Sequence, residues 1–290
     1  MKIEPVNGIY LPIAYISRSI IATRMKKYGL IGYPLSHSFS KKYFTDKFER
    51  EGITDCVYEL YPIEDIKNFN AFLHQNPDLC GLNVTIPYKV DVMKYIDWLD
   101  AGAKHVGAVN TIRIDKESPV SVAFQGEVGF GGDDFRLEGF NTDVYGFEES
   151  LKPLLKSRHS SALVLGNGGA AKAVYYVLNK LEIPYTIVTR KEQPESILFE
   201  QLTANMVAEN KLIINTTPVG TYPNVDECPP IPYEAITDGH LLYDLIYNPE
   251  QTLFLQKGAQ VGADTKNGHE MLILQAEKAW TIWNSKERYP

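Results

Sequence analysis

"SALVLGNGGAAKAVYYVLNKLEIPYTIVTRK", residues Ser161 to Lys191, decides the fold. Ala162–Leu165 is a short apolar run bounded by glycine, which reads as a buried strand. "GNGGAAKA", Gly166 to Ala173, follows as a turn that opens a helix. "YTIV", ending at Thr189, supplies a second strand. The order strand, glycine turn, helix, strand predicts a parallel βαβ unit.

The turn carries its own chemistry. It matches G-x-G-x-x-A: Gly166 permits a tight turn, Gly168 lets the backbone approach a pyrophosphate, and Ala171 allows close helix–strand packing. The free amides and positive dipole end of the helix suit that anion. A dinucleotide site is the expectation; a ligand-free glycine turn is the bland alternative. An NAD site usually places an acid at the end of the second strand. Here the strand ends in Thr189, Arg190 and Lys191, and two adjacent cations suit a 2′-phosphate instead. This favours NADP, against the reading that the pair only starts a solvated loop.

Working outward, "KLIINTTPVGTYPN" and "HLLYDLIYN" add strands after this unit, and "ADTKNGHEMLILQAEKAWTIWN" reads as a loop and a closing helix. Before it, "KYGLIG" is a strand, with a helix from about Ser40, a plausible N-cap. "CVYELYPI" is a strand and "DIKNFNAFLHQ" a helix. "GLNVTIPYKVDV", Gly81 to Val92, reads as a buried strand (Leu82, Val84, Ile86), a Pro-Tyr turn and Lys89. Helical material then leads to a strand near Asn110–Ile114. Asp115 to Arg136 reads as a strand pair with a long hairpin, whose acids Asp133 and Asp134 are solvated. "LEGFNTDVYGFEESLKPLL" opens a helix near Asp143. The expectation is a two-domain α/β protein with a boundary near Ser150.

The chain has 290 residues, which bounds it to one large or two ordinary domains. Its net charge of −7 argues against a nucleic-acid or membrane-surface role, because neither partner is met without a basic face. Three cysteines, without a CxxC, speak for a reducing compartment rather than a disulfide framework. No Cys/His spacing suggests a metal. Residues 1–24 hold an apolar stretch too short to span a membrane and are expected to be a disordered extension; a weak targeting segment is the alternative.

A dinucleotide turn gives a cofactor, not a reaction. "PLSHSFS", "NVTIPYK" and "GFNTD" each place polar side chains at the end of an apolar strand. Alone, Ser38 and Ser40 read as cap and turn hydroxyls, Asp143 as a helix N-terminal charge, and Lys89 as a surface lysine. Together with "GAVNTI", "GNGGAAKA", "NTTPVG", "DLIYNPEQT" and "GHEMLILQA", in that order from Tyr28 to Trp283, they resemble the shikimate dehydrogenases closely. The segment "TRK" departs from the family's common asparagine-arginine-threonine, and Lys41 stands where proline is frequent.

The resemblance implies reversible reduction of the 3-keto group of 3-dehydroshikimate with NADPH. It implies two α/β domains with a cleft between them. With the boundary read above these are a substrate domain (25–149) and a Rossmann NADP domain (150–267), and the last helix (268–290) is expected to pack back on the first domain or lie across the cleft. It places Ser38 and Ser40 on the substrate carboxylate, and Thr85, Asn110, Tyr247 and Gln275 on the carboxylate or ring hydroxyls. Lys89 and Asp143 become the catalytic pair. Gly166, Asn167, Gly168, Gly169 and Ala170, then Thr189, Arg190 and Lys191, hold the cofactor, with Leu245 and Gly268 near the nicotinamide. Hydride arriving at a ketone leaves negative charge on oxygen, which a positioned ammonium neutralises. The expected protein is a cytoplasmic monomer or homodimer that takes a small-molecule substrate. Two rivals stay open: a quinate/shikimate dehydrogenase using NAD or both cofactors, and a non-catalytic sensor of shikimate or nucleotide. Gly146 and Gly268 are candidate hinges for closure of the cleft.

Overall fold

The computed structural model describes residues 25–35, 38–116 and 135–287. The expected extension 1–24, and Asp133 and Asp134, lie outside the described residues.

Two six-stranded sheets follow one another along the chain. The first uses β1 (Lys26–Gly32), β2 (Cys56–Pro62), β3 (Leu79–Val84), β4 (Trp98–Leu99), β5 (Thr111–Asp115) and β6 (Arg136–Phe140), in the order β2-β1-β3-β5-β6-β4. β1 runs parallel to β2 and β3, while β5 runs antiparallel to β3 and β6. The helices of this half are α1 (Phe39–Arg50), α2 (Phe69–Gln75) and α3 (Ala101–Val106), with α4 (Thr142–Leu151) leaving it.

Three local expectations are corrected here. Ser40 is not the N-cap of α1. Ser38 is: its backbone is extended and its hydroxyl accepts from Lys41 N, whereas Ser40 already lies inside the helix. Ile86 is not a buried strand residue. The strand ends at Val84, the chain turns at a cis Ile86–Pro87 peptide, and Ile86 stands 75% exposed. The stretch after Lys89 is not continuous helix. It is a 3₁₀ turn (Asp91–Tyr95), the two-residue strand β4 and the short α3, whose Asp100 cap accepts from Ala103 N.

The second sheet is built from β7 (Ala162–Leu165), β8 (Tyr185–Thr189), β9 (Ser196–Leu198), β10 (Leu212–Asn215), β11 (Leu241–Asp244) and β12 (Asp264–Lys266). All its pairings are parallel, and the order β9-β8-β7-β10-β11-β12 is the doubly wound arrangement of a Rossmann fold. Its helices are α5 (Gly169–Lys180), α6 (Ala204–Glu209) and α7 (Leu253–Gln260). Side chains alternate along a strand, so Ala162 and Val164 pack on α4 and α5 while Leu163 and Leu165 pack on α6 and α7. Both faces are covered, which is why β7 reads as an unbroken apolar run.

The last helix, α8 (His269–Asn284), returns to the first sheet. Ala276, Ala279 and Trp283 pack with Tyr28, Phe44 and Tyr58, and Trp283 Nε1 donates to Ile112 O at 2.9 Å. α8 also crosses α4 at Gly146. A Cβ there would stand 2.4 Å from Met271 O, so this glycine serves close approach inside a helix. Ser150 falls in the last turn of α4, where its hydroxyl pairs with Tyr243 Oη at 2.6 Å.

Candidate active site

β1 and β3 lie side by side and parallel, so the segments leaving their C-terminal ends meet. Thr85 N donates to Ile31 O, which fixes the exit of β3 beside Gly32. Tyr88 is buried and its hydroxyl donates to Ile63 O at 2.6 Å, plugging the turn into the core. Lys89 O accepts from Val109 N at 2.7 Å. The backbone of Lys89 is therefore pinned on both sides.

Its side chain meets Asp143. Lys89 Nζ donates to Asp143 Oδ2 at 2.7 Å, across 54 positions of sequence, with the two side chains 33% and 19% exposed. Asp143 stands in the first turn of α4, whose N-cap Asn141 accepts from Val144 N and donates to Ala108 O. Strand exit and helix start are thus both capped, and the ion pair bridges them in a half-open setting.

Behind the pair runs a buried polar file. Asn110 Oδ1 accepts from Thr142 N at 2.7 Å and from the hydroxyls of Thr111 and Thr142 at 3.2 Å. Thr142 Oγ1 also reaches Gln275 Oε1 at 3.4 Å, which brings α8 into the site. Asn83 Nδ2 donates to Thr111 Oγ1, and Asn83 Oδ1 accepts from Tyr58 Oη at 2.8 Å. The Tyr58 hydroxyl lies beside Ser40; burial pushes its phenol well up, so it stays a neutral donor. Asn110 and Gln275 are therefore joined to Tyr58, next to Ser40, through Thr142, Thr111 and Asn83.

These four linking residues escaped the sequence reading. Asn83 left a signal, since an amide inside a buried strand needs a partner. Thr142 sat unread between the cap Asn141 and Asp143. Tyr247 is 44% exposed, and its ring centroid lies 6.1 Å from Phe39, the residue between Ser38 and Ser40. That contact joins the loop after β11 to the start of α1.

A second site lies at the C-terminal ends of β7, β8 and β10, where the strand order reverses. A cavity of about 300 Å³ is lined there by Gly166, Asn167, Gly168, Thr189, Arg190 and Lys191, with Thr216 to Val219 as the opposite wall. Gly166 has φ +105°, and a Cβ on it would meet Thr216 Oγ1 at 2.8 Å. Glycine is needed at this position for conformation and for space. Gly168 and Gly169 face open space, and no side chain caps the start of α5, so its first amides are free for an anion. Ala170 is exposed in the same turn. Arg190 and Lys191 are exposed and carry no ion pair among the described residues. The Thr189 hydroxyl is turned inward to Lys191 O at 2.8 Å and Ser196 Oγ at 3.1 Å, so it shapes the loop. These features fit a dinucleotide with an extra phosphate.

Leu245 and Gly268 meet each other: Gly268 N donates to Ile246 O at 3.0 Å, and a Cβ on Gly268 would strike Leu245 O. Among the described residues there is no cluster that could hold a metal ion.

Comparison with known proteins fits this geometry. The family model of the shikimate dehydrogenase substrate binding domain matches residues 30–112. A shikimate dehydrogenase (NADP+) of Clostridium beijerinckii is 38% identical over 269 residues, covering 89% of this chain and 92% of the relative. One from Methanococcus maripaludis is 33% identical over 285 residues, with 92% and 95% coverage. Among solved structures, a chorismate mutase/shikimate 5-dehydrogenase fusion protein from Clostridium acetobutylicum superposes with a TM-score of 0.73 at 33% identity, over 90% of this chain and 92% of that one.

Proposed function

Because this chain belongs to the shikimate dehydrogenase family, we propose that Lys89 and Asp143 are the catalytic pair of its cleft. The protein is an NADP-dependent oxidoreductase that interconverts 3-dehydroshikimate and shikimate. The observation that carries the catalytic assignment is the 2.7 Å contact between an ammonium and a carboxylate on separately pinned backbones.

When bound, NADPH supplies the hydride. The chain's own part is to hold the ketone and to meet the charge that develops on its oxygen. Lys89 Nζ keeps further N–H bonds free beyond the one given to Asp143, and a preorganised cation at that point stabilises the alkoxide. It also has a proton to give; in the oxidative direction the neutral amine left by that transfer takes the proton from the hydroxyl. Asp143 orients the ammonium. Ser38 and Ser40 receive the carboxylate, with Thr85 and Tyr247 beside them, and Asn110 and Gln275 match ring hydroxyls. A site built on such donors and acceptors discriminates strongly against an analogue lacking a hydroxyl.

The phosphates rest on the turn from Gly166 through Asn167, Gly168 and Gly169 to Ala170. Thr189, Arg190 and Lys191 surround the 2′-phosphate, and Leu245 and Gly268 flank the nicotinamide. Three free cysteines accord with a reducing compartment such as the cytoplasm.

The test is a four-way assay: shikimate or quinate, each with NADP+ or NAD+, followed by reduced-cofactor absorbance. Shikimate with NADP+ should be the fastest combination. A faster quinate–NAD+ reaction would favour the dual-specificity rival, and no turnover in any mixture would favour a sensor. Lys89→Ala should lose roughly 10³-fold in kcat while shikimate, titrated calorimetrically, still binds. A variant with near-native kcat would sink the catalytic pair.

A further inference from the structure

Asp244, at the C-terminal end of β11, is 0% exposed. Among the described residues no cation faces it; its surroundings are three hydrogen-bond donors and the phenol of Tyr233. Oδ1 accepts from Asn215 Nδ2 at 3.0 Å and from Ile246 N at 3.1 Å, and Oδ2 accepts from Thr252 Oγ1 at 2.6 Å. A carboxylate buried without a counter-charge is costly, and burial pushes this one up to about 6. An asparagine would fill the same space without a charge, but it offers one acceptor oxygen instead of two. The Thr252 hydroxyl already accepts from Leu255 N as the cap of α7, so its proton is committed to Asp244.

What those bonds hold is the pair of loops that wall the two ligand sites. Asn215, anchored through its Nδ2, turns its Oδ1 to Thr217 N at 3.0 Å and Thr217 Oγ1 at 2.7 Å. Thr217 lines the cofactor cavity. Ile246, anchored through its N, lies between Leu245 and Tyr247, and its carbonyl accepts from Gly268 N. Leu245 N in turn donates to Asn215 O at 3.0 Å. One carboxylate thus stands at the junction of a cofactor wall and a substrate-facing segment while facing neither space itself.

We propose that Asp244 is a positioning residue that fixes the Thr216–Val219 wall and the Leu245–Tyr247 segment against each other, so that one buried group sets the affinity for both NADP+ and shikimate. The inference rests on the function read above. Asp244→Leu removes all three acceptor contacts. Asp244→Asn keeps the Oδ1 contacts and loses the tie to α7. Asn215→Ala cuts only the tie to the cofactor wall.

The full chain and each variant are titrated calorimetrically with NADP+ alone and with shikimate alone, and each is melted by circular dichroism to establish folding. The expected result for Asp244→Leu is a loss of at least about tenfold in both affinities. Asp244→Asn should recover both to within a few fold, and Asn215→Ala should weaken NADP+ by about fivefold. If Asp244→Leu does not fold, Asn215→Ala decides. A folded Asp244→Leu that melts lower yet binds both ligands within twofold of wild type, or an Asn215→Ala that binds NADP+ within twofold, overturns the inference, leaving Asp244 a purely structural residue. Wild-type protein that binds no NADP+ in the same titration overturns the function reading, and this inference with it.

Discussion

At the residue scale the chemistry rests on side chains fixed by their own backbones. Lys89 and Asp143 were visible in the sequence as polar residues at strand ends, and it was the family resemblance that made them a pair. Asp244 was not, because "LLYDL" reads as one buried strand and nothing in it tells that the acid turns inward. Its titration gives a prediction. The folded-state value, about 6, lies above the ordinary 3.8. A carboxyl raised in this way adds stability below about pH 4 and loses it as pH rises through about 6. Two units correspond to something on the order of 3 kcal/mol. Asp244→Asn does not ionise, so urea unfolding of the two proteins should show the wild type losing ground to the variant between about pH 4.5 and pH 7. Buried His159 and His240, both lowered by burial, act in the opposite direction as pH falls, but they are shared by both proteins and cancel. A pH-independent difference would mean that Asp244 does not titrate in this window.

At the scale of elements the reading succeeded where a segment is long and doubly covered, and slipped where it is short. The strands of the second sheet carry apolar runs because helices bury both faces. The stretch from Tyr88 to Val106 was read as helix because its apolar residues fill a core from a 3₁₀ turn and a two-residue strand, and elements that short have no periodicity to read. Ser38 rather than Ser40 caps α1 because only Ser38 has the extended backbone from which a hydroxyl reaches back to Lys41 N. Gly146 is an element-scale test. A methyl placed 2.4 Å from the Met271 carbonyl forces α4 and α8 apart. Gly146→Ala should cost about 1–3 kcal/mol, despite the better helix propensity of alanine, and lower the melting temperature by several degrees. Because Thr142 and Gln275 lie on those helices, KM for shikimate should rise with it. An alanine variant as stable as wild type would show that the crossing has slack.

At the scale of the whole molecule, α1 and α8 are clamped as well as packed. Lys47 is buried and donates to Glu277 at 2.9 Å and to Glu51 at 2.8 Å, and Tyr43 donates to Glu277 too. Removing one partner of such a pair leaves the other buried and uncompensated. Glu277 is part-exposed, so Lys47→Met, which removes the buried member, is the milder change, and Glu277→Ala, which leaves the buried lysine to Glu51 alone, should destabilise more. Chemical unfolding of the two variants checks that order; equal losses would mean that the clamp contributes only packing. The two-sheet order was legible because the glycine turn restarts the pattern halfway. The return of α8 to the first sheet was one of two placements expected for the closing helix, whereas the clamp and the polar file were not legible, since pairs such as Lys47 and Glu277 stand 230 positions apart.

That return has a consequence for synthesis. Tyr28, Phe44 and Tyr58 find Trp283 only after the entire second sheet has left the ribosome. The early half of the polypeptide must therefore wait, with one aromatic face uncovered, until translation has passed residue 283. Closure of the first aromatic core and the contact of Gln275 with Thr142 become a single late event, set by the delivery of that helix.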